Sequence, residues 1–325
     1  MNVTKPIIFS LFQIRELLSK LYLIPIIKQG FVALSSSKAI VPPIAELLFE
    51  NPSGETHNKY GYIKQQPYFV IKIASGFYDN STLGIKSGQG VMLLFSQQTG
   101  ELLAILLDEE ELTDVRTAIA SIITLKHMAP KNISAIGIIG TGIQAKLQLK
   151  YLHQVSDCKN VMIWIRNKEN SIAFKDQFKG NCFLITVAST LEELTENCNV
   201  INVIIITATP SKEPLLKTHQ IKKGTHITTI GSDTADKIKL DPKIIKKTDL
   251  VVSDSILQSK TRGEIFQDRK KGCLENSKLL KLGNLIQKPT LGRRNNEQIT
   301  IADLTGVAVQ DIMIAIAIFN NYKNK

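Results

Sequence analysis

The sequence predicts an α/β protein in which a doubly wound parallel sheet follows a meandering sheet, and three observations carry that prediction. Residues Ala135 to Ala145 read A-I-G-I-I-G-T-G-I-Q-A, an apolar strand running into Gly140, Gly142 and Ala145 at G-x-G-x-x-A spacing. From Asn132 onward, apolar strands alternate with helix-forming stretches, the rhythm of a parallel sheet covered on both faces. Before that point, short strand-like runs are punctuated by Gly, Asn, Asp and Ser clusters.

Taken in order, the elements begin with an amphipathic helix from about Phe9 to Tyr22, turned at Pro25. The apolar run Ile7 to Phe12 does not read as a signal peptide, because Arg15, Glu16 and Lys20 interrupt it. After Pro42 and Pro43 come strands at Ile44–Phe49, Gly61–Ile63, Tyr68–Ala74, Val91–Ser96 and Leu102–Leu107. Turns are expected at Pro52–Gly54, Asp79–Ser81, Ser87–Gly90 and Thr99–Gly100. A helix follows from about Leu112 to Lys126 and ends at Pro130. The alternating part then offers strands at Ile133–Ile139, Val161–Ile165, Phe183–Val187, Val200–Ile206, His226–Ile230 and Leu250–Ser253. Thr190 and Glu193 form a capping-box pattern before a short helix. These strands and helices read as a Rossmann domain of roughly 170 residues, an ordinary domain size. The stretch Gly306 to Phe319 is apolar all round and must be buried as a helix.

Composition narrows the functional class. The 325 residues are 43% hydrophobic, enough for a sizeable core. The net charge is +11, yet the lysines are scattered and aromatic residues make up only 6%, so no stacking platform for nucleic acid is visible. Generic solvated lysines are the better reading, with a bias toward anionic substrates and cofactors. No uninterrupted apolar run of about 18 residues suggests a membrane span. Cys158, Cys182, Cys198 and Cys273 lack metal or disulfide spacing, and His57, His127, His153, His219 and His226 form no H-E-x-x-H pattern. No metal is expected, and a reducing, cytoplasmic setting fits.

The glycine turn carries the first chemical expectation. Gly140 permits a tight turn, Gly142 lets backbone approach a pyrophosphate, Ala145 lets helix pack on strand, and the helix from about Gln144 points its amides at phosphate. An ordinary strand-to-helix turn is the plainer alternative. About 20 residues on, where a ribose-binding acid is common, the chain has Arg166 followed by Asn167 and Lys168. An arginine there accepts a 2′-phosphate, so the reading leans to NADP(H) with NAD(H) left open.

Three charged side chains stand out. Lys72 lies in Y-F-V-I-K-I-A, where alternation puts it with Val70 and Ala74 on one strand face. Alone it reads by default as an ammonium snorkelling from an edge strand. Arg116, near a helix start with Thr113 as a candidate cap and Asp114 beside it, reads alone as a surface ion pair. Asp233 follows an apolar strand in I-G-S-D-T, at the carboxyl end where doubly wound sheets assemble ligand sites, though Gly-Ser-Asp is also a common turn. Thr207 and Thr209 follow another strand as a second loop bordering the cofactor.

Together these segments resemble the ornithine cyclodeaminase and mu-crystallin family over nearly the whole chain. The resemblance rests on V-P-P-I at Val41, F-V-I-K-I-A-S-G-F-Y-D-N at Phe69 and T-G-E-L-L-A-I-L-L-D at Thr99. It continues through L-T-D-V-R-T-A at Leu112, I-G-T-G-I-Q-A at Ile139, I-G-S-D-T at Ile230, V-V-S-D-S at Val251 and D-L-T-G-V-A-V-Q-D at Asp303. The K-I-A-S-G-F-Y-D-N and L-G-I-K-S-G-Q-G segments are most similar to the branch of ectoine utilisation and iminosuccinate reduction. The I-W-x-R segment at Ile163 to Arg166 parallels the mu-crystallin ketimine reductases.

The resemblance implies a substrate-binding and dimerisation domain of α+β type, residues 1–127 with 305–325, and a Rossmann domain, residues 128–304. It implies a homodimer that reduces a small, iminosuccinate-like α-imino acid with NAD(P)H, or runs the reverse dehydrogenation. A cyclodeaminase turning ornithine into proline with recycled NAD, and a non-catalytic NADP-binding ligand sensor, are the alternatives. By motif match, Lys72 and Arg116 hold the substrate carboxylate and Asp233 is the acid or base at the reacting nitrogen. Gly140, Thr141, Gly142, Ile143, Gln144, Arg166, Thr207, Thr209 and Ser232 line the cofactor, with Val307 near the nicotinamide. Two departures bear on specificity. Pro43, Ile44 and Ala45 stand where many members carry a further arginine, and Lys239 replaces an expected acidic residue.

Overall fold

The computed structural model describes residues 5–131, 133, 135–165, 167–198, 203–207, 214–231, 239–269, 272 and 276–324. The chain divides into two compact units, Met1–Arg116 with Val307–Lys325, and Thr117–Gly306.

The first unit runs β1 (Ile7–Phe9), α1 (Leu11–Leu18), α2 (Leu23–Ser35), β2 (Ala39–Ile40), β3 (Ala45–Phe49), β4 (Gly54–Ile63), β5 (Tyr68–Phe77), β6 (Gly88–Ser96) and β7 (Leu102–Leu106). The helix α3 (Glu111–Met128) starts within this unit. Among the described residues its strands form one seven-stranded sheet in the order β1-β7-β6-β5-β4-β2, with β3 pairing on β4. The expected single helix over 9–22 is instead a strand and a helix. Phe9 closes β1, which pairs in parallel with β7, and Ser10 opens α1 in a reciprocal capping box with Gln13. Pro25 does not turn the chain. It lies in the first turn of α2, where a missing N–H costs nothing.

Two further boundaries move for one reason. β4 extends back to Gly54 and β6 back to Gly88, through residues whose polar or glycine character suggests turns. The register places Glu55, His57 and Lys59 of β4 opposite Gly76, Ala74 and Lys72 of β5, and these opposite Gly88, Gly90 and Met92 of β6. Pairing partners of that kind share a sheet face, so the polar residues gather on one face and the glycines bare its backbone. The carboxy-terminal helix, Ala308–Lys323, packs on α2, β4 and β5 and is buried nearly all round, as its composition requires. Its approach to α2 is close: a Cβ on Gly30 would stand 2.9 Å from Val309 O.

The second unit runs β8 (Ala135–Ile139), α4 (Ile143–Leu152), β9 (Asn160–Trp164), α5 (Lys168–Gln177), β10 (Leu184–Val187), α6 (Leu191–Cys198), β11 (Val203–Thr207), β12 (His226–Ile230), α7 (Pro242–Lys247), β13 (Leu250–Ser253), α8 (Glu264–Arg269), β14 (Leu279–Lys281), α9 (Leu282–Gln287) and β15 (Thr300–Leu304). The strand order is β10-β9-β8-β11-β12-β15-β13-β14, and every pair is parallel. The order reverses between β8 and β11, the switch point at which such sheets form a crevice outside the strands' carboxyl ends. The capping pattern before α6 is present: Thr190 Oγ1 accepts from Glu193 N at 3.0 Å, while the Glu193 carboxylate accepts from Ser189 N at 2.7 Å.

The strand β15 is absent from the sequence expectation because T-I-A-D-L lacks an unbroken apolar run. Its polar residues are buried and bonded. Thr300 Oγ1 pairs with His226 Nδ1 at 2.8 Å, and Asp303 accepts from Thr229 Oγ1 and Ile265 N at 3.0 Å each. Hydrogen bonding of this kind lets a central strand carry polar residues without loss.

Candidate active site

In the first unit, two cationic side chains and one anionic side chain are buried together. Lys72 is the middle residue of three lysine-and-methionine-bearing strands, flanked by Lys59 on β4 and Met92 on β6, so β5 is an interior strand and the edge-strand reading falls. Lys72, Arg116 and Asp311 are 2%, 3% and 1% exposed. Lys72 Nζ stands 3.4 Å from Asp311 Oδ1, and Arg116 Nε stands 3.0 Å from the same oxygen. Arg116 is therefore no surface ion pair. Its Nη1 donates to Gln310 Oε1 at 3.0 Å, Gln310 Nε2 donates back to Arg116 O at 3.1 Å, and Val307 N donates to Gln310 Oε1 at 2.9 Å.

Thr113 does not cap α3 but accepts from Lys72 Nζ at 3.2 Å. The capping is done by Asp108, whose Oδ2 accepts from Leu112 N at 3.1 Å.

The electrostatics follow from burial. Desolvation lowers the Lys72 ammonium below the usual lysine range, partly opposed by Asp311. Burial alone would raise the Asp311 carboxyl, but Arg116 and Lys72, helped by Lys59, hold it below the ordinary carboxylate value. Burial also pushes Asp108 up to about 6 and Glu110 up to about 7, the latter with Asp114 adding to the rise. The ion-paired trio carries two positive charges against one negative, a buried surplus that favours an anionic ligand.

In the second unit, Gly140 and Gly142 sit between β8 and α4. Gly140 has φ +116°, a conformation that demands glycine, and Gly142 caps the helix with ordinary extended angles and no side-chain cap. A Cβ on Gly142 would meet nothing within 4 Å, so the backbone there lies open to an approaching group. The amides of the first turn of α4, from Ile143 and Gln144, end at this open face, which fits a dinucleotide pyrophosphate. Thr141 lies within the turn, and Thr207 ends β11 across the switch point from β8.

The D-L-T-G segment is bonded just as densely. Thr305 N, Thr305 Oγ1 and Gly306 N all donate to the Asp254 carboxylate, at 2.9, 2.9 and 2.7 Å. Gly263, at φ +87°, packs so tightly on Asp303 that a Cβ would stand 2.7 Å from its Oδ2. Lys239, the unexpected base, is fully buried, and its backbone N donates to the Glu264 carboxylate at 2.9 Å.

The structure thus brings Lys72 and Arg116 together, groups Gly140 to Gln144 at one helix terminus, and places Val307 at the start of the carboxy-terminal helix. Arg166, Thr209, Ser232 and Asp233 lie outside the described residues. The sequence reading gave no role to Asp311, Gln310, Asp108 or Glu110. A signal was present for the first: Asp311 is an acidic residue inside an otherwise apolar, obligatorily buried helix, and such a carboxylate requires a buried cation.

The chain matches the model of the ornithine cyclodeaminase/mu-crystallin family over residues 5–325. It is 36% identical to an uncharacterized cyclodeaminase of Sinorhizobium fredii, over 92% of this chain and 90% of that protein. Its fold is similar to that of Thermococcus litoralis Δ1-pyrroline-2-carboxylate reductase in complex with NADH and L-proline, with a TM-score of 0.89, 26% identity and 98% of each chain covered. An archaeal alanine dehydrogenase dimer with bound NAD aligns with a TM-score of 0.88 and 29% identity, over 98% of this chain and 97% of that one. A match of the whole length, on a site with this charge arrangement and this glycine turn, means that the chain belongs to the ornithine cyclodeaminase/mu-crystallin family.

Proposed function

We propose that this protein is a nicotinamide-dependent reductase of a small α-imino acid, or in reverse an amino acid dehydrogenase. The observation that carries the reading is the convergence of Lys72 and Arg116 on one buried carboxylate, which leaves a surplus positive charge on the sheet face. In this reading the substrate carboxylate satisfies that surplus. Arg116 orients it through its planar guanidinium, itself held by Asp311 and Gln310, and Lys72 adds a point charge.

By the resemblance, Gly140, Thr141, Gly142, Ile143 and Gln144 would hold the cofactor, with Thr207, Thr209 and Ser232 lining it and Val307 near the nicotinamide. When bound, a reduced nicotinamide supplies a hydride to the imine carbon. An imine accepts it most readily once its nitrogen is protonated, and Asp233 is assigned that proton. Fixing the carboxylate end of the substrate positions its α-carbon, the orientation on which such a transfer depends. The division follows the resemblance: residues 1–127 with 305–325 bind substrate and dimerise, and residues 128–304 bind nucleotide. Arg166 tilts the cofactor choice to NADP(H).

A homodimer is supported by the outer face of the first sheet. There Tyr62, Phe69 and Phe95 follow one another across β4, β5 and β6, as do Tyr60, Ile71 and Leu93. The Phe69 and Phe95 rings stack at 4.8 Å, while Tyr60 and Ile73 remain more than a third exposed. An apolar face of this extent suits a second copy. The free thiols of Cys158, Cys182 and Cys198 accord with the cytoplasm.

The test is reductive amination of pyruvate, glyoxylate and oxaloacetate with ammonia or methylamine, and reduction of cyclic ketimines, each with NADH and NADPH. Stoichiometric loss of reduced cofactor is expected. Proline and ammonia from ornithine with catalytic NAD⁺, and no net reduction, would replace the reading with a cyclodeaminase.

A further inference from the structure

The sheet face that carries Lys72 continues into a strip almost without side chains. Along β5 the residues on this face are Lys72, Ala74 and Gly76, and their β6 partners are Met92, Gly90 and Gly88. A Cβ on Gly76 would meet only Glu55 Cγ, at 3.9 Å, so the floor is open there. Over its β6 side the floor is occupied. A Cβ on Gly88 would coincide with the Glu110 carboxylate, and one on Gly90 would lie 3.0 Å from Glu110 N and 3.4 Å from Asp108 Oδ1.

Two features of this corner are costly to the fold. Asp108 Oδ1 is fully buried and, among the described residues, accepts no hydrogen bond, although its partner oxygen caps α3. A buried acceptor without a donor is costly unless a ligand supplies one. Glu110 reaches the floor from a backbone with φ +71°, following Glu109 at φ +46°, a conformation that side chains other than Gly, Asn and Asp rarely adopt. Both carboxyl groups lie within electrostatic range of Lys72.

Building on the proposed reductase reading, we infer that Glu110, seconded by Asp108, is a specificity-determining residue that bars a second carboxylate from the substrate side chain. With the α-carboxylate on Lys72 and Arg116, the side chain lies over the glycine floor and meets an acidic end wall. A neutral side chain is accepted there, and one ending in an N–H or ammonium donor is favoured. A dicarboxylate of the iminosuccinate type is repelled.

The test compares full-length wild type with Glu110→Gln and Asp108→Asn, using pyruvate and oxaloacetate, each with ammonia. Wild type is expected to favour the pyruvate-derived imine by tenfold or more in kcat/KM, and Glu110→Gln to move that ratio about tenfold toward the dicarboxylate, with a smaller shift for Asp108→Asn. A ratio that Glu110→Gln leaves unchanged, or a wild type that prefers the dicarboxylate, overturns the inference. Calorimetric titration of propionate and succinate separates this result from failure of the reductase reading. Succinate gaining on propionate in Glu110→Gln supports the acidic wall even in a protein that reduces nothing. Equal succinate binding by wild type and variant overturns it, and so does a wild type that binds neither acid.

Discussion

Arg116 Nε stands 3.0 Å from Asp311 Oδ1, with both side chains withdrawn from solvent. The pair joins the start of α3 to the carboxy-terminal helix, and Lys72 shares the same oxygen. Replacing Asp311 by Asn keeps the shape and leaves two cations buried without a counter-charge. Urea unfolding of Asp311→Asn is expected to show a loss of about 3–5 kcal/mol, the range for breaking one side of a buried ion pair. The pH sign is fixed by direction. Asp311 titrates below its ordinary 3.8 in the fold, so its contribution is present above that value and fades as pH falls through the folded value. A loss below about 1 kcal/mol near neutral pH would mean that solvent reaches the trio.

The two turn glycines should separate folding from binding. Gly140 needs its positive φ, so Gly140→Ala should cost about 1–2 kcal/mol in a thermal or urea melt. Gly142 has ordinary angles and open space at its missing Cβ, so Gly142→Ala should fold within about 0.5 kcal/mol of wild type. Nucleotide titration is expected to reverse the order of interest: Gly142→Ala weakens binding about tenfold or more by holding the pyrophosphate off the backbone. Undiminished affinity in Gly142→Ala would move the cofactor away from this turn.

Much of this was legible before any coordinates. The glycine turn, the β8, β9, β12 and β13 strands, the apolar carboxy-terminal helix and the alternation that groups Lys72 with Val70 and Ala74 all follow from local pattern, whereas the burial of Lys72 does not. What local pattern hides is polar burial. β15 carries Thr300 and Asp303 inside a sheet, β4 carries Glu55, His57 and Lys59, and β6 starts on glycines, so β15 and the leading parts of β4 and β6 read as loop until their cross-strand partners are known. Asp311 escaped a role for the same reason: its partners lie about 200 and 240 positions away in the chain.

Asp303 offers a pH signature. Burial, with Glu264 adding to it, pushes its carboxyl up to about 7 from an ordinary 3.8. The folded state therefore holds this proton more tightly than the unfolded chain, so its stabilising effect is complete below 3.8 and declines as pH rises to about 7. Asp303→Asn is neutral throughout and gives up one acceptor for Ile265 N or Thr229 Oγ1, a roughly constant cost. Relative to wild type, the variant should gain stability from about pH 4 to about pH 7 by about 1.4 kcal/mol per unit and then level off. Parallel stability curves for the two proteins across that window would show that Asp303 is ionised in the fold.

Arg166 decides the nucleotide in the proposed reading. Arg166→Ala should raise the NADPH dissociation constant about tenfold or more, the worth of a charge-assisted contact to phosphate, and change that for NADH by less than about threefold. Equilibrium fluorescence titration with both cofactors measures the split directly. Equal weakening would assign Arg166 to the shared part of the nucleotide and remove the basis for preferring NADP(H).

Asp233 is the remaining member of the proposed chemistry, and its substitution separates proton transfer from binding. Asp233→Asn is nearly isosteric, cannot donate or accept a proton at the reacting nitrogen, and leaves the glycine turn and the Lys72, Arg116 and Asp311 trio intact. The expected result is a fall in kcat of about 10²–10⁴, the usual yield of positioned acid–base catalysis, with nucleotide affinity within about twofold of wild type. The pH profile distinguishes this from a positional effect, because removing the titrating acid flattens the limb that it governs, whereas a misplaced substrate lowers the profile without changing its shape. Turnover preserved in Asp233→Asn would take this carboxylate out of the reaction and leave the buried Asp108 and the half-buried Glu110, both within electrostatic range of Lys72, to test next.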